Sequence, residues 1–186
     1  ELVNKKMGTS KSKRRVKIVE SIASAISSKK IFDTIDYRNR NEDYIKQYMH
    51  QPLINELEEL YENLELSKSM DKDIVKQKAK DCLLWEGDVN TTVNNFTFFG
   101  TQHRPDFVVK IDKLSVAVEV KKGETGSSLR EGIGQSLVYS SAFDFVVYLY
   151  VDISKDKKIR DSMNGAKEQE LINDLWDSHN ALFQVV

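Results

Sequence analysis

Two runs decide how this chain folds: Arg104-Pro105-Asp106-Phe107-Val108-Val109 and Val116-Ala117-Val118-Glu119-Val120-Lys121-Lys122-Gly123. Both are rich in β-branched and aromatic residues and read as strands. Asp112-Lys113-Leu114-Ser115, between Phe107 to Ile111 and Val116 to Val120, is of hairpin length. Side chains alternate along a strand, so Glu119 and Lys121 share one face while Val118 and Val120 share the other. Two charged groups on one face of an otherwise apolar strand are costly without partners. Asp106 opens the neighbouring strand and can lie beside Glu119. Two converging carboxylates suit a hard cation, and a backbone carbonyl such as that of Val120 can add a ligand. Lys121 can orient or help deprotonate a water and offset charge on a phosphorane-like transition state. The competing reading is a strand-end ion pair of Glu119 with Lys121 or Lys122.

Working outward, Phe96 to Phe99 is a further β-prone run, which makes a meander of three strands. Gly123 to Gly126 breaks the sheet and a helix is predicted over 127–142. It feeds the wholly apolar Phe145-Val146-Val147-Tyr148-Leu149-Tyr150-Val151, which reads as a buried parallel strand. A helix over 166–179 (Leu171, Ile172, Leu175, Trp176) and a strand from Ala181 to Val186 close the chain. Gly132 and Gly134, early in the helix after the meander, predict either close approach of that helix or a late helix start. Upstream, Val16, Val19, Ile22, Ala23 and Ile26 recur at helical steps and predict a helix over 13–28. Asn41 can cap a second helix with Glu42 and Asp43 in its first turn. Pro52 predicts a kink in it or two abutting helices. A third helix is expected over 70–84. The expected class is α/β with a mixed sheet flanked by helices. Residues 1–40 read as a basic segment with one amphipathic helix, and 41–186 as the domain.

With 186 residues, 40% hydrophobic and 31% charged, the chain suits one domain with a real core. That excludes a disordered chain, a collagen-like repeat and a disulfide-stapled miniprotein. No apolar run approaches the ~18 residues of a membrane helix, and the first thirty lack a signal peptide's apolar stretch. No membrane partner is expected. The single cysteine, Cys82, reads as a buried thiol, which fits a reducing, intracellular setting. The net charge of −1 hides an asymmetry: residues 1–30 sum to +7 and the rest to −8. Arg14, Arg15 and Lys17 are therefore candidate nucleic-acid contacts, with a solvated leading helix as the equal alternative. The run from Lys11 to Lys17 also fits a nuclear-localisation patch.

The central arrangement resembles the PD-(D/E)xK nuclease superfamily, with its restriction-endonuclease-like fold. The motif stands here as Pro105-Asp106, twelve intervening residues, then Glu119-Val120-Lys121. Gln135 and Tyr139 on the next helix resemble the Q-x-x-x-Y pattern of several branches, and Glu42 is similar to a helix-borne Glu upstream of the meander. The resemblance spans roughly residues 42–152. It implies an αβββαβ core with extra N-terminal helices and a C-terminal helix-strand. It further implies metal-dependent hydrolysis of phosphodiester bonds, with DNA preferred over RNA. Mg²⁺ or Mn²⁺ would sit on Asp106 and Glu119, with Lys121, Gln135 and Glu42 as further catalytic residues. Lys122 would contact phosphate or simply be solvated; Tyr139 would face nucleic acid or pack in the core. A homodimer is compatible with this reading. The alternatives are an inactive nucleic-acid-binding or scaffold module on the same fold, and an RNA-directed endonuclease, to which His50 leaves an opening. Glu86 and Asp88 are alternative third carboxylates, although Glu86-Gly87-Asp88 also reads as a turn. His103 can touch phosphate or be a polar hairpin residue, and His50 and His179 lack metal-ligand spacing.

Overall fold

The computed structural model describes residues 11–64, 66, 70–87 and 95–186. The elements are α1 (Lys13–Ile26), α2 (Lys29–Thr34), α3 (Glu42–Asn63), α4 (Lys72–Cys82), β1 (Leu83–Trp85), β2 (Phe96–Phe98) and β3 (Thr101–His103). They continue with β4 (Phe107–Ile111), β5 (Leu114–Gly123), α5 (Gly126–Tyr139), β6 (Phe145–Asp152), α6 (Lys158–Ser162), α7 (Ala166–His179) and β7 (Ala181–Val185).

Five strands form one sheet in the order β1-β4-β5-β6-β7. The first three are antiparallel neighbours, while β6 runs parallel to both β5 and β7. The α/β class and the mixed sheet agree with expectation. β6 is buried at every position, as befits an apolar strand covered on both faces.

The alternation along β5 divides the core. Val116, Val118 and Val120 join α1 and α3 in one cluster, with Ile18, Ile22, Met49 and Leu57. Ala117 faces the other way, with Val146, Tyr148 and Tyr150, toward Tyr139 of α5 and Leu175 of α7. Residues 13–26 thus share the main core instead of standing apart as a basic leader. No helix of the described residues is long and apolar enough to cross a membrane.

Four local expectations change. The helix over 70–84 stops at Cys82, and Leu83-Leu84-Trp85 becomes the edge strand β1, paired with Phe107 to Val109. A short apolar run does not distinguish a helix end from a strand; the partner does. The run from Phe96 leaves the sheet and pairs with Thr101–His103 in a separate hairpin, so β1 supplies the third meander strand. The β4–β5 turn is only Asp112-Lys113, at φ 51° and 61°, with Leu114 and Ser115 already in β5. Finally, α3 is one continuous helix through Pro52, which overturns the alternative of two abutting helices. The carbonyl that loses its donor there is that of Tyr48, a half-exposed residue, so water can serve it.

The two glycines of α5 differ. A Cβ on Gly132 would lie 2.1 Å from the Tyr148 hydroxyl and 2.2 Å from its ring carbon, whereas one on Gly134 would meet nothing within 4 Å. Close approach explains the first, and the helix begins well before either. Gly132→Ala should therefore destabilise the protein by roughly 1–3 kcal/mol. Gly134→Ala should stabilise it by about 0.5–1 kcal/mol through helix propensity alone. Urea unfolding of the two variants checks both signs.

Candidate active site

The β4–β5 ladder ends at the pair Phe107 and Val118. Beyond it, β5 continues to Gly123 while the preceding chain turns away at Pro105. The N–H of Val120 points to this vacated edge, and Asp106 fills it: Oδ2 accepts that N–H at 2.8 Å. The N–H and C=O of one strand residue project to the same side, so the Val120 carbonyl shares the edge with Asp106. The other carboxylate oxygen, Oδ1, accepts from Lys46 Nζ at 2.8 Å. Lys46 also lies 3.0 Å from Asp43 Oδ1.

Glu119 rises from β5 on the face toward α5 and is only 3% exposed. Lys121 Nζ stands 3.4 Å from its Oε1, so the shared face is realised. Its Oε2 is buried with no hydrogen-bond partner, as is Oε1 of Gln135. Tyr139 lies one turn after Gln135, and its hydroxyl donates to the Arg104 carbonyl at 3.0 Å. Glu42, at the start of α3, accepts the Lys122 N–H at 3.3 Å.

Burial and then the charge of Asp106 push the Glu119 carboxyl up to about 8, against the opposing pull of Lys121 and of the nearby Tyr139 hydroxyl. Burial also raises Glu42, with Lys121 opposing and Asp106 adding to the rise. For both lysines burial disfavours the charge but is outweighed. Asp106 leads in holding Lys46 up, and Glu119, Glu42 and Asp106 hold Lys121 up. Glu42, Asp106, Glu119 and Lys121 thus form one electrostatic unit. Lys46 belongs to it too and escaped the sequence reading; its position one helical turn after Glu42 was the available signal.

Other expected residues lie elsewhere. Arg14 Nε bonds Asp112 Oδ2 at 2.6 Å, at the tip of the β4–β5 hairpin. That tip is seven residues from Glu119, about 23 Å along the strand. Arg14, Arg15 and Lys17, at the start of α1, are therefore not brought to the carboxylates. Lys122 is half-buried, and its ammonium donates to the carbonyls of Arg38, at 2.8 Å, and Arg40. Tyr139 is 2% exposed, so it packs and positions; it does not present itself to nucleic acid. Glu86 pairs with Arg104. His103 bonds Thr101 within its hairpin, and the ring of His50 lies against Trp85. Asp88 lies outside the described residues.

Among the described residues no three His, Cys, Asp or Glu side chains are grouped to hold a metal ion. The donor set still fits a hard cation. It offers two carboxylates, one with a buried oxygen that makes no hydrogen bond, and a carbonyl on the same edge. Mg²⁺ commonly needs only one or two carboxylates and keeps several waters. Comparison with protein-family models, curated proteins and solved structures returned no match.

The raised Glu119 carboxyl has a stability consequence. Between its ordinary value of 4.5 and about 8 the folded state holds a proton that the unfolded state has released. Stability contributed by this group is complete below 4.5 and falls as pH rises through that window, by at most about 1.4 kcal/mol per pH unit. Glu119→Gln should flatten that slope. Urea unfolding in EDTA at pH 5, 6.5 and 8 measures it.

Proposed function

We propose that this protein is a metal-dependent nuclease that hydrolyses phosphodiester bonds, with DNA as the preferred substrate. The observation that carries the reading is a buried Glu119 carboxyl oxygen that makes no hydrogen bond, on a side chain whose other oxygen lies 3.4 Å from the Lys121 ammonium. Asp106, Glu119 and the Val120 carbonyl would hold Mg²⁺ or Mn²⁺. When bound, such an ion polarises a phosphoryl oxygen and acidifies water.

The chain's own groups divide the remaining work. Lys121 offsets charge that develops on the phosphoryl group and orients the attacking water. The unpaired Gln135 oxygen accepts from that water or from a substrate hydroxyl. Glu42 positions the end of β5 through the Lys122 N–H. Tyr139 holds the Arg104 carbonyl and with it the entry to Asp106. The resemblance to the PD-(D/E)xK superfamily favours DNA. A second reading, a binding module without turnover, has one observation in its favour: the Lys46 ammonium already neutralises Asp106.

Plasmid, linear and single-stranded DNA, with RNA alongside, should be cleaved in Mg²⁺ or Mn²⁺ and left intact in EDTA. Asp106→Asn and Lys121→Ala should each lower the rate by roughly 100-fold or more. Cleavage unchanged in both variants would sink the assignment. Mn²⁺ titration separates the second reading, because a module without turnover would show no binding that depends on Asp106.

A further inference from the structure

The hairpin of β2 and β3 takes no part in the chemistry above. Its strands pair only with each other. The two residues joining them, Phe99 and Gly100, both have positive φ, 48° and 74°. Turns of this kind favour Asn, Asp or Gly at their first position, and a bulky L-residue there is strained. Phe99 is 93% exposed, so no burial offsets the strain. Among the described residues the other non-glycine positions with positive φ are Asp112, Lys113, Lys157 and Asn180, none of them aromatic. A phenyl ring held out on a turn that disfavours it asks for a functional reason.

The tip is firmly carried. Phe98 meets Phe99 edge to face, with ring centroids 4.5 Å apart. At the base, the Phe96 ring packs on Tyr139 and Phe143 at 5.9 and 6.0 Å. Thr101 Oγ1 donates to the Phe98 carbonyl at 2.8 Å, closing the turn. The hairpin then runs through Arg104 directly into Asp106. Asp106 is seven positions after Phe99, so their backbones lie within about 25 Å of each other. That is about seven base steps of a strand. From Asn95 to Pro105 there is no acidic residue, in a chain with acidic excess beyond residue 30.

We propose that Phe99 is a base-stacking wedge, which sets its ring against an unpaired nucleobase of the strand engaged by the carboxylate site. The substrate class is nucleic acid with a single-stranded or locally opened segment. This rests on the nuclease reading for the identity of the ligand. Every nucleobase offers a π-face, and stacking on aromatic side chains is the common means of holding single strands. A lipid surface would call for a wider apolar face flanked by several Lys or Arg, which this hairpin lacks.

The test is direct binding, in EDTA and again in Ca²⁺, of a fluorescein-labelled 20-nucleotide single strand and its duplex. Phe99→Ala and Phe99→Asn should weaken single-strand binding on the order of 5- to 100-fold. Phe99→Trp should retain it, with emission beyond that of the wild type quenched on binding. Phe99→Asn should also raise the Tm, because Asn suits the turn. Stability and affinity moving in opposite directions is a result that a merely structural role would not produce. Equal affinity across the variants overturns the proposal, as does a lower Tm for Phe99→Asn. If Phe99→Ala instead abolishes co-sedimentation with phosphatidylcholine–phosphatidylserine vesicles and leaves DNA binding intact, the partner is lipid and the proposal fails. Binding that depends on Phe99 in a protein that never cleaves would count against the nuclease reading alone. Cleavage by a Phe99→Ala variant that binds like the wild type would count against the wedge alone.

Discussion

The hydrogen bond from the Val120 N–H to Asp106 organises the rest of the site. Strand β5 outlasts its neighbour β4, which leaves backbone groups inside the protein without a ladder partner. An unpaired buried N–H is costly, and Asp106 stands in for the missing strand. A carboxylate used in this way carries its charge into the interior, so it draws a cation. Lys46 supplies it from α3. The same helix begins at Glu42, which receives the next N–H along that edge, that of Lys122. The Lys122 ammonium in turn ties down the chain just before α3, at Arg38 and Arg40. One unfinished ladder thereby fixes the docking of α3 and the geometry of both carboxylates.

That arrangement is not what stability alone would select. Buried ion pairs pay a desolvation cost that close geometry at best repays, and apolar replacements are frequently as stable. Here two largely buried carboxyl–ammonium contacts, Lys46 with Asp106 and Lys121 with Glu119, lie close together near the end of β5. Glu119 keeps an oxygen that makes no hydrogen bond, and Asp106 nearby makes its ionisation harder still. An apolar core of the same shape would avoid each of these costs. Charge held in the interior at such cost is characteristic of functional sites.

Some of this was legible in the sequence because it follows from short-range rules. Strand alternation placed Glu119 with Lys121 and against Val118 and Val120. The Asn41 cap and the acidic first turn fixed the start of α3, where the Asn41 side chain accepts the Tyr44 N–H. The apolar run of β6 announced a strand covered on both faces. What escaped depended on partners far away in sequence. Leu83-Leu84-Trp85 becomes a strand only because β4 is there to pair with it. Lys46 matters because Asp106, sixty residues later, lies opposite. Lys122 alternates away from Lys121 as expected, but its exposed-looking charge is claimed by two carbonyls that no local pattern reveals. Tyr139 shares the helical face of Gln135, yet burial and the Arg104 carbonyl decide its role.

The charge asymmetry also takes on a different meaning once the chain is folded. Arg14, at the start of α1, bonds the β4–β5 hairpin tip at the far end of β5 from Glu119. The basic helix start therefore cannot be what steadies a phosphate at the carboxylates. Inside the site, the Lys46 ammonium is already neutralised by Asp106, and the Lys121 ammonium is held beside Glu119. A divalent ion added to the carboxylate pair would make the local field more attractive to phosphate. Until then the acid-free hairpin, with Arg104 at its foot, is the segment next to Asp106 that a nucleic-acid strand could approach without repulsion from its own side chains. Metal binding and strand engagement would then be separate events on adjoining surfaces, joined through the single backbone run from Phe99 to Asp106.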